Sequence, residues 1–180
     1  MNIYKKISAI ILLLLGFCFG FSQKMITKTG KTTFEASVPS FEEIKATNSA
    51  TTAIINADTG EVAAVVLMNG FKFKSALMEE HFNENYMDSS KFPKATFKGK
   101  IANFAAIKDK GGKAAIVGVL DMHGKQKNIT SEAMLTKSGA GYNLDGGFSV
   151  KPQDFDIEIP TLVSKKIAKD IKVDYQYQLK

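Results

Sequence analysis

Arginine and tryptophan are absent from these 180 residues, and cysteine occurs once, at Cys18. All 24 basic side chains are therefore lysines. Lysine lacks the planar guanidinium fork that pairs bidentately with guanine or phosphate. No basic stripe interleaved with aromatics is present either, so nucleic acid is not an expected partner. The missing tryptophan argues against a sugar-stacking site. Histidine is nearly as scarce, with only His81 and His123. A catalytic triad needs a nucleophile, a base and an orienting acid that converge, and no G-x-S-x-G elbow is found. "EEHFNE" puts Phe82 where a zinc-binding H-E-x-x-H helix requires Glu. "DMH", Asp121 to His123, offers two metal ligands on one strand face and no third. "GKQKNIT" and "GAGYNLDGG" lack the P-loop and dinucleotide spacings. Glu79-Glu80 and the Asp154/Asp156 pair read as solvated surface. The expectation is a chain that is not an enzyme, with no catalytic residue, metal or cofactor.

The opening residues read as a leader. "MNIYKK" is basic, and "ISAIILLLLGFCFGF" is an apolar run of 15 residues. A membrane helix needs about 20. Gly20 and Ser22 are small residues at the spacing a signal peptidase reads, so cleavage is expected after Ser22. An uncleaved anchor is the rival reading. Lipidation of Cys18 is disfavoured because Phe17 stands where a small residue normally precedes the cysteine. Removing residues 1–22 leaves one domain of 158 residues, 23–180, with no cysteine and hence no disulfide. Its core alone must hold it, which is feasible at this length. The formal charge falls from +6 to +4 with the loss of Lys5 and Lys6. A periplasmic or secreted location follows, and the mild positive charge suits transient contact with an anionic membrane surface.

The remaining sequence is mostly strand. "TTFEASV" (Thr32 to Val38) alternates partially. Ala50 to Phe73 is two β-rich runs about the turn "ADTG", a hairpin. Lys94 to Phe104 alternates, placing Ala95, Phe97, Gly99, Ile101 and Asn103 on one face. Lys113 to Thr136 is a second hairpin, turning near His123-Gly124-Lys125. Gly141 to Val150 and Ile171 to Leu179 complete the set. Two segments read as helix. In "SALMEEHFNENYM", Leu77, Met78, His81, Phe82, Asn85 and Tyr86 share a face, with Ser75 as N-cap. "TLVSKKIAKDI", Thr161 to Ile171, is a shorter candidate. Short strands joined by hairpins predict an all-β antiparallel barrel or sandwich with one or two short helices. About eight strands is the scale of a barrel that holds side chains or one small ligand.

Apolar side chains crowd around the first helix: Phe71, Phe73, Leu77, Met78, Phe82 and Tyr86, with Met87, Phe92 and Phe97 following. They read either as a core beneath a lid or as the lining of an adaptable pocket for a long hydrocarbon.

The ordered motifs resemble the YceI family of lipocalin-like periplasmic proteins that bind polyisoprenoids or other long-chain lipids. A helix His leading through Phe-Pro into a "TF.G.I" strand matches "HFNENYMDSSKFPKATFKGKI". A Gly and Leu before a His-Gly-x-x-Lys turn match "GVLDMHGKQKNIT", and an acidic-Phe segment matches "KPQDFDIEIP". Departures occur: "TKTGKTTFEASVP" has no His, Phe82 replaces the usual Leu, and Lys151 and Gln153 lie where an Arg is common. The resemblance implies an eight-stranded antiparallel lipocalin-like barrel around an elongated apolar interior. The implied partner is a long-chain lipid: a polyisoprenoid, an isoprenoid quinone or a fatty-acyl chain. The expected cavity lining is Phe71, Phe73, Leu77, Met78, Phe82, Phe97 and Ile101. His81 is expected to pack inward and bond a backbone group, with headgroup contact as its other candidate role. A monomer or dimer is expected. The alternative is a ligand-free envelope interaction or stress-response module with a filled core.

Overall fold

The computed structural model describes residues 23–180, so the expected leader lies outside the described residues. Eight long strands carry the fold: β1 (Lys24–Glu35), β2 (Lys45–Asn56), β3 (Glu61–Leu67), β5 (Lys94–Ile101), β6 (Gly112–Met122), β7 (Lys125–Ser138), β8 (Gly141–Val150) and β9 (Ile171–Leu179). β4 is a two-residue strand, Lys72–Phe73, beside the start of β2. Every pairing is antiparallel, in the order β1-β9-β8-β7-β6-β5-β3-β2, and β2 returns to β1. The sheet therefore closes into the eight-stranded barrel expected from sequence. Closure gives every long strand a partner on both sides over at least part of its length.

Alternation drives the strands. In β7, Ser131, Ala133 and Leu135 point inward while their neighbours are exposed. β8 answers with Tyr142, Leu144 and Val150. Register brings Ile101 opposite Ile116 and Leu135 opposite Leu144, all buried. β1 begins at Lys24, well before the expected Thr32. Its first half buries Met25 and Thr27 in a lysine- and threonine-rich context whose apolar signal is faint. Register shifts on both sides of Gly30 bend the strand there.

The two barrel ends differ. The closed end carries the β2–β3 and β7–β8 turns and a short helix, α2 (Phe104–Ile107), not expected from sequence. Phe104 is buried, edge-on to Tyr142 at 6.0 Å. The open end carries the long connections: 36–44, 68–93 and 151–170. There α1 (Ala76–His81) starts on Ser75, whose hydroxyl accepts from the Met78 N–H at 3.4 Å, and widens into a π-type turn, Phe82–Tyr86. The expected helix at Thr161–Ile171 is not formed. One turn builds on the Pro160 carbonyl, and then the Ala168 N–H donates to Ala36 O at 2.9 Å, pulling the chain onto the β1–β2 loop. Ile159, Val163 and Ile167 face the interior instead of a helix partner.

An acidic side chain, Glu79, steadies the open end. Glu79 accepts from Lys72 Nζ at 2.6 Å and from the Phe73 N–H at 3.3 Å, joining α1 to β4. The Lys72 hydrogen bond outweighs desolvation and holds the Glu79 carboxyl below its usual range. A depressed carboxylate stabilises the fold above its ordinary pKa, and that contribution disappears as pH falls through the folded value. Acid should therefore loosen α1 on β4. The pair is partly exposed, so the effect is below about 1 kcal/mol. Lower protection factors for the amides of residues 72–82 below the carboxylate range, a pH dependence abolished in Glu79→Gln, check this.

Candidate functional site

Inside the open half lies a cavity of about 330 Å³, within the ordinary span of small-molecule sites, about 300–1,000 Å³. Small inward residues make it: Ala64 and Val66 on β3, and Ala95 on β5. Larger inward residues, Phe97, Leu120 and Phe148, wall it. At its mouth four phenylalanines interlock. Phe34 stacks on Phe82 at 5.2 Å and meets Phe71 edge-on at 5.2 Å, and Phe73 lies 5.2 Å from Phe82. Such pairs add roughly 0.5–1.5 kcal/mol each beyond area burial. Met78 and Phe82 descend from the α1 segment onto this cluster. The interior is therefore not the filled core of the alternative reading.

Phe71, Phe73, Met78, Phe82 and Phe97 all border the cavity. Leu77 does not: it points outward, 59% exposed. The short helix touches the barrel along a narrow stripe, Met78–Phe82–Tyr86, and Leu77 lies one residue outside it. Ile101 is also misplaced by the sequence reading. It is 1% exposed and packs in the closed-end core with Met25, Ile55 and Phe104. Its alternation is right, but its strand has already run past the cavity. His81 borders the mouth yet is exposed, so it does not pack inward as expected. The histidine that bonds a backbone group is His123, whose Nδ1 donates to Phe155 O at 2.8 Å.

Sequence reasoning missed the inner end altogether. Tyr175 and Tyr177, on β9, stack at 5.0 Å where the cavity meets the closed-end core. Tyr177 Oη is 3.1 Å from Thr32 Oγ1, which is 2.8 Å from Thr51 Oγ1. Tyr175 Oη is 2.8 Å from Ser131 Oγ. Burial pushes the Tyr177 phenol up to about 12, and Tyr175 is raised for the same reason. Both remain neutral hydroxyls at ordinary pH. The available signal was the inward alternation of tyrosines in "VDYQYQL" against inward Thr and Ser on other strands.

Glycine makes room for these rings. A Cβ on Gly30 would sit 2.6 Å from Tyr177 Cδ1 and 2.9 Å from the Thr51 carbonyl oxygen. The backbone oxygen cannot swing away. Gly30→Ala should cost about 1–3 kcal/mol through overpacking, read as a lower urea midpoint with unchanged slope.

A YceI-like domain model matches residues 20–179. The chain belongs to the YceI-like family. No curated protein matches it. Among solved structures, a polyisoprenoid-binding domain from Saccharophagus degradans implicated in plant cell-wall breakdown is similar at TM-score 0.73 and 15% identity, over 87% of this chain and 97% of that one. Burkholderia cenocepacia BcnA is similar at TM-score 0.70 and 16% identity, over 83% and 96%. A Campylobacter jejuni YceI protein follows at TM-score 0.58 and 14% identity, over 79% and 89%. At these identities the likeness is one of fold.

The YceI-like motifs acquire a physical meaning here. His123 and Gly124 both have positive φ, 53° and 74°, forming the two-residue turn that twists with its strands. The His123 ring packs on Phe92, centroids 4.4 Å apart. Its Nδ1 reaches Phe155 O, while Lys125 pairs with Asp156 at 2.7 Å and Lys127 with Asp154 at 3.8 Å. Lys125 holds the Asp156 carboxyl below its usual range. The His-Gly turn, the Phe-Pro step and the acidic-Phe segment are thus one clasp at the open end. Phe155 itself, 1% exposed, is buried in the core around the mouth.

Proposed function

We propose that this YceI-like barrel is an exported carrier or store that holds one long-chain amphipathic lipid, a polyisoprenoid, isoprenoid quinone or fatty-acyl chain. The cavity supports this most: about 330 Å³ of interior space bordered almost wholly by aliphatic and aromatic side chains. Each methylene transferred from water contributes roughly 0.8 kcal/mol before the costs of binding. A hydrocarbon chain therefore needs few polar contacts. The proposed lining is Phe71, Phe73, Met78, Phe82 and Phe97, with His81 and Lys166 at the mouth as headgroup contacts. The binding fold of the family agrees with a role without catalysis. Titration with a fluorescent polyene fatty acid should saturate at one molecule per chain and be reversed by an isoprenoid quinone. Linear, unsaturable uptake would sink the proposal.

Lipid must reach the mouth, and a brief membrane contact serves that need. Leu162 projects from the 151–170 connection, 90% exposed. Lys165, Lys166 and Lys169 flank it, with no acidic residue between Thr161 and Lys169. An apolar tip followed by three lysines on the same connection suits an anionic bilayer, where each lysine contributes about 1 kcal/mol. Leu162→Asp should slow lipid uptake from anionic vesicles severalfold while leaving the affinity for dispersed fatty acid unchanged. Stopped-flow transfer assays read this directly.

A further inference from the structure

We propose that the inner end of the cavity is a subsite for an uncharged oxygen acceptor on the lipid, a carbonyl, ether or hydroxyl oxygen, which takes a spare proton from the Thr51–Thr32–Tyr177 hydroxyl chain. It rests on the lipid-holding reading above and adds the chemistry and orientation of the occupant.

The basis is a proton count. Three hydroxyls carry three protons. Two hydrogen bonds join them, Thr51 to Thr32 and Thr32 to Tyr177. Among the described residues no other acceptor reaches any of the three. One proton is therefore left over, on Thr51 or Tyr177 when the bonds run in one direction, or on Thr32 when both neighbours donate to it. The companion cluster has no such surplus. Ser131 Oγ donates to Gly147 O at 2.9 Å and accepts from Tyr175 Oη at 2.8 Å. All three chain hydroxyls are buried, Thr51 at 1%, Thr32 at 6% and Tyr177 at 7% exposure, and all border the cavity.

A buried donor facing hydrocarbon forfeits its hydrogen bond, so buried polar groups are nearly always paired. A lipid entering methyl end first would leave this proton facing alkyl groups. A lipid entering oxygen first would pair it. The acceptor is uncharged, because no cation borders the inner end. Lys166, the lysine among the cavity's bordering residues, belongs to the 151–170 connection at the mouth. The phenol is held protonated by its burial, so it does not repel the acceptor by ionising.

The test compares a saturated isoprenoid ketone with the isoprenoid alkane of equal chain length, in wild type and in Thr32→Val/Thr51→Val/Tyr177→Phe. The triple variant removes all three protons with little change of shape; a single substitution does not suffice, because losing Thr51 or Tyr177 leaves one spare proton on the remaining pair and losing Thr32 leaves two. Wild type should prefer the ketone by about fivefold, the worth of one net hydrogen bond, and the variant should bind both equally. The infrared carbonyl stretch of the ketone bound to wild type needs no variant, and should be lowered relative to the ketone in alkane solution. Equal affinities in wild type with an unshifted stretch overturn the subsite and assign the proton to a trapped water. If wild type binds neither probe, the lipid-holding reading itself fails and the subsite with it.

Discussion

Ala64→Trp should weaken lipid binding by at least tenfold while the barrel still folds. Ala64 faces the cavity opposite Phe97, its register partner on β5. An indole at that position would occupy space that is empty in the structure, about 330 Å³ in all, rather than push into packed neighbours. Displacing only two buried methylenes of a bound chain removes about 1.6 kcal/mol, more than a factor of ten. The far-ultraviolet circular dichroism spectrum should be unchanged and the thermal midpoint should hold or rise, since filling a void restores dispersion contacts. A fatty-acid titration as tight as wild type would show that the lipid does not lie against the inner face of β3 and β5.

Phe155→Ala should be the most destabilising single change at the open end. The ring is 1% exposed and its backbone carbonyl receives the His123 imidazole. Truncating a buried phenylalanine costs about 3–5 kcal/mol, a large share of the about 5–15 kcal/mol a domain possesses. The thermal midpoint should fall by roughly 10 °C or more. Leu77→Ala, at a side chain 59% exposed, serves as the contrast and should stay within about 0.5 kcal/mol of wild type. Equal losses at the two positions would mean that burial does not rank these residues.

Period-2 alternation in strongly apolar segments carried most of the barrel, because inward and outward positions follow directly from the pleat. Where threonine and glycine share the inward positions, as in β1 with Thr27, Gly30 and Thr32 after Met25, the same geometry had little apolar contrast to reveal it. The α1 segment was legible as a helix, but its face was read too wide. A single narrow contact stripe places Met78 and Phe82 inside and releases Leu77 and His81 to the surface. Ile101 failed for another reason: alternation assigns a side chain to the interior without saying how far along the barrel it sits. The segment after Pro160 lost its helix to a tertiary hydrogen bond from Ala168 to Ala36, which no local pattern encodes. The hydroxyl chain at the inner end joins β1, β2 and β9, and only the closure of the sheet brings Thr32, Thr51 and Tyr177 together.

The proposed function stands on a lipid in the cavity. Native mass spectrometry of the protein, purified gently from its own cells and followed by solvent extraction, tests it most directly. One long-chain lipid per barrel is expected, released on extraction and rebound from solution at least tenfold more tightly by wild type than by Ala64→Trp. A mass equal to the bare polypeptide, unchanged after adding isoprenoid quinones, polyprenyl phosphates and fatty acids, would contradict it.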